Sequence, residues 1–263
     1  MPRFAANLSF LFLDRPFLDR FAAAAACGFK AVEFHFPYDF PPDEVAAAAR
    51  EAGVAVVLFN LPAGNWAAGE RGIACLPERI GEFRDGVARA AAWAEKLECP
   101  RVNCLAGLRP EGITEAVLRD TLVGNLRFAA DLFAGAGRQV LLEPLNSRDT
   151  PRFFVDRTAP ALALLDDAGR SNLFLQYDIY HAQVMEGDLA LTLMRNLPWV
   201  GHIQLADNPG RHEPGTGEIN FPFLFAHLDA IGYQGWVGCE YVPTGRSEDS
   251  FGWLSTHAQG VGG

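Results

Sequence analysis

Four oxygen-bearing side chains recur at equivalent places in the second half of the sequence. Glu143 follows the apolar run VLL, Asp178 follows LFLQY, Gln204 follows GHI and Glu240 follows WVGC. An unpaired carboxylate in such a run costs several kcal/mol, so something must hold the charge of Asp178 inside LFLQYDIYH. A Glu, Asp, Gln, Glu set offers only oxygen donors, the preference of hard divalent cations such as Mg2+ or Mn2+. A cation of that kind would also keep the acids ionised in apolar surroundings. One acid at a strand end is more often a cap or half of an ion pair, but four on successive strands point to a site. The two-residue period of a strand puts Leu141, Gln176, His202 and Gly238 one layer below the four. His202 is read there as a donor that orients the layer above. Glu33 and His35 in AVEFHF share a face and fit either the site or a satisfied polar pair.

The elements that must position these side chains follow one rhythm. Strand-like apolar runs fall at 4–8, 31–36, 55–61, 101–106, 140–145, 173–177, 200–205 and 236–241. Helix-like segments separate them, among them PDEVAAAAREAG, TEAVLRDTLVGNLRFAADLFAGAG and GDLALTLMRNL, and many end in the Gly expected of a left-handed cap. Strands alternating with helices pair in parallel, and about eight such units in this length match a single (β/α)8 barrel of the TIM type. No Pro-, Gly- or Ser-rich linker divides the chain, so residues 1–258 are expected to form one domain, with 259–263 a loose tail. The loops PAGNWAAGERGIAC and NPGRHEPGTGEIN follow the third and seventh strands, which places them on the catalytic face.

Composition narrows the function classes. The chain has 263 residues, 49% of them hydrophobic, and a formal charge of −10. That balance argues against a phosphate-backbone binder, so no nucleic-acid partner is expected. No stretch approaches the roughly 20 apolar residues of a membrane span. The N-terminus lacks the apolar centre and cleavage site of a secretory signal. Five scattered cysteines without a C-x-x-C pair speak for a reduced, cytoplasmic protein. GTGEIN has neither dinucleotide nor P-loop spacing, which removes a nucleotide from consideration. Apolar helix faces leave room for a homo-oligomer.

Five stretches together, NLPAGNWAAGERGIAC, LLEPLN, QYDIYHAQ, HIQLADNPGRHEPGTGEIN and GWVGCEY, resemble the hydroxypyruvate isomerase family within the xylose-isomerase-like barrels. The resemblance runs from FAANLSF to the eighth strand. It implies a Mg2+-type site made by Glu143, Asp178, Gln204 and Glu240, with Glu143 and Glu240 also serving as the acid/base pair. Related ketose epimerases usually carry His where this chain has Gln204, which shifts the site toward purely oxygen ligation.

The implied chemistry is proton transfer between adjacent carbons of a small anionic 2-oxo acid through an enediolate, with a metal stabilising the developing charge. Two carboxylates on opposite sides of the substrate would take and return the proton. An anionic substrate needs local cations or donors, and Arg71 in GERG, His181 and Arg211 are the candidates. Asn60 and Trp66 are further candidates for the pocket wall. Rival readings are a 2-oxo-tetronate isomerase or a ketose 3-epimerase on the same site, a multi-metal nuclease and a non-catalytic binding barrel. A nuclease would need clustered His and a basic groove; a binding barrel has no use for two opposed carboxylates.

Overall fold

The computed structural model describes residues 2–254. Eight parallel strands close on themselves in sequence order: β1 (Arg3–Asn7), β2 (Ala31–Phe34), β3 (Ala55–Asn60), β4 (Arg101–Cys104), β5 (Gln139–Leu142), β6 (Leu173–Asp178), β7 (Val200–Leu205) and β8 (Trp236–Cys239). The seam is β1 against β8, with Ala6 opposite Cys239. This is the (β/α)8 barrel expected from the rhythm. Helices cover the outer face, so the strands are buried on both sides and read as continuous apolar runs.

The helices show how local sequence sets their limits. In α2 (Pro42–Ala52), Pro42 sits in the first turn with Asp43 and Glu44, and Gly53 closes the helix at φ +67°. In α4 (Glu115–Ala134), the Thr114 hydroxyl accepts from the Val117 N–H, and buried residues recur every three or four positions from Leu118 to Phe133. With α1 (Arg20–Ala26), α3 (Ile80–Lys96), α5 (Thr158–Ala168) and α8 (Phe221–Ala230), these helices bury one stripe each against the barrel.

Two differences from the sequence reading matter for the site. Residues 179–185 form a helix, α6 (Ile179–Met185), directly after β6 and before α7 (Leu189–Asn196). It starts there because the Asp178 carboxylate caps it, accepting from the N–H groups of Tyr180 at 2.7 Å and His181 at 3.3 Å. Strands β5 and β8 stop at Leu142 and Cys239, so Glu143 and Glu240 stand one residue beyond the ladder. The runs read longer in sequence because the mouth segments remain buried: Leu145 and Tyr241 are apolar for packing, not for pairing. The proposed tail at 259–263 lies outside the described residues. Among the described residues, no helix is long and apolar enough to cross a membrane.

Candidate active site

The mouth of the barrel holds a cavity of about 190 Å3, and Glu143, Glu240, Arg71, His181 and Arg211 all line it. Five of the residues singled out in the sequence therefore meet at one place. Asp178 stands behind them, with Oδ2 3.4 Å from an Arg211 nitrogen. Gln204 lies in the inward layer opposite Asp178 in the strand register. A larger groove of about 690 Å3 opens at the other end of the barrel between α5 and the start of β6, where no acid cluster gathers.

The loop after β7 is built around a buried anion. Asp207 is fully buried, and its carboxylate accepts the N–H groups of Asn208, Gly215, Gly217 and Ile219 at 2.9 to 3.1 Å. Gly217 is required there, because a Cβ would collide with the Asn208 carbonyl. This fold-back sets Arg211, in left-handed backbone at φ +58°, over the cavity with Phe10 and Tyr180 beneath its guanidinium at 4.9 and 5.1 Å. Arg211 reaches Glu240 at 3.1 Å. Arg71 is fixed differently: it lies 4.0 Å over the Trp66 ring and donates to the carbonyls of Trp66 and Glu70.

Electrostatics separate the acids. Burial raises Glu143 well above the usual carboxylate range, and the charges of Glu240 and Asp178 push the same way. Burial also lifts Asp178, to about 7, against the pull of Arg211. For Glu240 burial is again the largest influence, but Arg211 and His35 outweigh it and hold the group at about 2. His35 makes its contribution through a 2.8 Å contact from Nε2 to Glu240 Oε1. Three buried carboxylates thus face one partly buried guanidinium.

His181 is neutral and its tautomer is defined. Burial and Arg211 lower its pKa well below the ordinary value. The Asn146 backbone N–H, which can only donate, points at His181 Nδ1 at 3.1 Å, so the ring proton sits on Nε2. That nitrogen lies 3.6 Å from Asp178 Oδ2. Ligand atoms of Glu143, Asp178 and His181 fall within 4.8 Å of one another. The tautomer makes His181 a donor toward the cavity, so the cation-binding capacity of the cluster rests on oxygen. Glu240 Oε2 is buried without a partner, the kind of orphaned acceptor a hard cation satisfies.

Several site residues were not singled out from sequence. Asn103 at the end of β4 donates to Glu143 Oε2 at 2.6 Å, and Asn146 orients His181. Asparagines in strand ends and loops carry no distinguishing pattern, and only the fold pairs them with an acid. Glu33 and His35 do not pair with each other: His35 joins Glu240 in the cavity, while Glu33 takes His202 at 2.6 Å in the layer beneath. His202 thus lies in the lower layer, as expected, with Glu33 as its partner.

The sequence profile described as "Xylose isomerase-like TIM barrel" matches residues 21–257. The chain belongs to that family. It is 49% identical over 257 residues to hydroxypyruvate isomerase of Escherichia coli (strain K12), covering 98% of this chain and 100% of the relative. It is 47% identical, over 98% of this chain and 99% of the relative, to 2-oxo-tetronate isomerase of Cupriavidus necator. A crystal structure described as AP endonuclease, family 2, from Brucella melitensis superposes with a TM-score of 0.95 at 45% identity, covering 98% and 99% of the two chains. At this similarity to curated isomerases, the protein is an isomerase.

Proposed function

We propose that the protein interconverts hydroxypyruvate and 2-hydroxy-3-oxopropanoate (tartronate semialdehyde) by proton transfer through an enediolate, with Glu143 and Glu240 as the acid/base pair. The observation that carries this reading is the single cavity onto which both glutamates, Arg71, His181 and Arg211 open. One carboxylate removes a proton from the hydroxyl-bearing carbon, and the electron pair forms the carbon–carbon double bond as the carbonyl oxygen takes negative charge. Protonation at the neighbouring carbon, with the hydroxyl proton passing to the former carbonyl oxygen, completes the 2-hydroxy aldehyde. The two glutamates exchange roles with direction and titrate as a coupled set. The His181 Nε2–H donates toward a substrate oxygen, and Arg211 and Arg71 supply positive charge for the carboxylate.

The oxygen cluster fits a divalent cation held by Glu143, Asp178, Gln204 and Glu240, with Mg2+ first and Mn2+ as the substitute. Such an ion supplies Lewis-acid stabilisation of the enediolate charge. A 2-oxo-tetronate as substrate is the second reading, supported by the Cupriavidus relative. A nuclease role has less support in this chain, whose charge is −10 and whose cavity is walled by carboxylates. The expected surroundings are the cytoplasm, without nucleic-acid or membrane partners. The exposed Trp199 and Phe223 suit contacts within a homo-oligomer.

The test is proton NMR of hydroxypyruvate in D2O with chelator-treated protein, with and without Mg2+. Product formed only with Mg2+, carrying deuterium on carbon, is the expected result. Failure to form product with Mg2+ or Mn2+, alongside turnover of a 2-oxo-tetronate, moves the assignment to the second reading.

A further inference from the structure

We infer that Glu33 is a positioning residue that fixes the orientation of the Gln204 amide, leaving its oxygen and not its nitrogen available as a ligand, an inference that rests on Gln204 being a metal ligand. Glu33 is fully buried on β2, yet its carboxylate crosses the barrel interior to reach β7. Gly238 on β8 makes the room, since a Cβ there would collide with both carboxylate oxygens. A backbone group sets the direction of the Asn7 contact. The Ser9 N–H can only donate, and it points at Asn7 Oδ1 at 3.0 Å. The Asn7 amide nitrogen therefore faces Glu33 Oε1, at 2.9 Å. Gln204 Nε2 donates to the same oxygen at 2.8 Å.

With its nitrogen committed to Glu33, Gln204 turns Oε1 toward β6, the strand that ends in Asp178, where Gln176 Nε2 donates to it at 2.6 Å. The reversed amide would set oxygen against the Glu33 carboxylate and nitrogen against the Gln176 nitrogen. The Gln176 amide, whose Oε1 has no partner, can turn to match, but the Glu33 carboxylate cannot, so Glu33 decides the orientation. An amide oxygen has a second lone pair free for a hard cation, whereas an amide nitrogen offers none. Glu33 thus acts on the site through Gln204, without touching substrate or the other acids of the cluster. His202, at 2.6 Å from Glu33 Oε2, holds the far side of the same carboxylate.

The test is calorimetric titration of Mn2+ into the chelator-treated full chain, with circular dichroism to verify folding. Glu33→Met keeps the volume and removes the acceptor; a loss of about 10- to 100-fold in Mn2+ affinity is expected, the usual effect of removing an orienting partner. Glu33→Gln retains one acceptor oxygen and is expected to stay close to the wild type. In a Gln204→Ala background, Glu33→Met should cost nothing further, because the interaction it removes is already gone. An equal loss in that background, or wild-type affinity in Glu33→Met itself, overturns the inference while leaving the metal site standing. Absence of Mn2+ binding by the wild type overturns the metal reading and this inference with it. If Glu33→Met does not fold, Glu33→Asp retains the charge but withdraws it by one methylene; weakened Mn2+ binding supports the inference and wild-type affinity overturns it.

Discussion

Replacing Glu143 by Gln should separate activity from stability, moving them in opposite directions. Glu143 is raised well above the usual carboxylate range by burial and by Glu240 and Asp178. One of its oxygens lies within 4.8 Å of an Asp178 oxygen. At an effective dielectric constant near 20, two unit charges at that separation repel by roughly 3 kcal/mol. Wherever Glu143 is protonated this repulsion is relieved, so there the glutamine variant gains less than the full amount. The sign follows from linkage: a carboxyl raised in the folded state contributes stability below its unfolded pKa and loses it as pH rises through its folded pKa. Glutamine has no such loss, so the stability advantage of Glu143→Gln over the wild type should widen as pH rises from 6 to 9. In the presence of chelator, calorimetry should show Tm higher by roughly 2–10 °C, taking a gain of about 1–3 kcal/mol in a domain of this size. Turnover should fall at least about 1,000-fold, within the range for loss of a general acid or base. Asn103 keeps a partner throughout, because the glutamine oxygen replaces the carboxylate oxygen it donates to. Turnover within tenfold of the wild type would remove Glu143 from the proton transfer. A stability difference that stays flat across that pH range would refute the electrostatic reasoning.

Glu240→Gln should lose turnover as well but also lose stability, by about 2 kcal/mol, because it withdraws the charge that Arg211 and His35 hold ionised; this allows for Asp178 remaining beside Arg211. A Tm that rises in this variant would contradict the ordering of the two acids. Asp207→Asn should raise KM more than it lowers kcat, since an amide oxygen cannot accept all four N–H groups that shape the Arg211 loop, and unpaired buried donors cost about 1–3 kcal/mol each; limited proteolysis should show faster cleavage within 208–219, and unchanged KM with an uncut loop would count against it. Mg2+ binding should release protons near pH 6–7, where the metal-free Asp178 is held at about 7 and burial raises Glu143 as well, and calorimetry in buffers of different ionisation enthalpy measures the number. No buffer dependence at those pH values would mean the acids are not the ligands.

Repetition is what made the barrel legible in the sequence. Eight apolar runs, separated by helix-forming segments with Gly stops, leave a closed parallel barrel as the economical solution, and strand-end position then groups Glu143, Asp178, Gln204 and Glu240 before any geometry is known. What the pattern could not show is where a side chain serves two elements at once. Asp178 reads as a strand end, and the seven residues after it carry no separate helix signal, because the capping oxygen of α6 is the same carboxylate that belongs to the site. Glu33 is the harder case. Alternation puts it on the inward face with His35, but the partners that explain its charge come from β1 and β7, and the glycine that makes room for it comes from β8.

The hydrogen bonds among these join residues 26 to 171 positions apart in the chain, and no local period can encode them. They also divide the barrel interior into two polar layers with different demands. In the upper layer three carboxylates exceed the positive charge around them, which suits a cation. In the lower layer one carboxylate is matched by donors from Asn7, Gln204 and His202, which suits rigidity. A substitution in the lower layer should therefore alter the site through direction and affinity, whereas one in the upper layer should alter its charge.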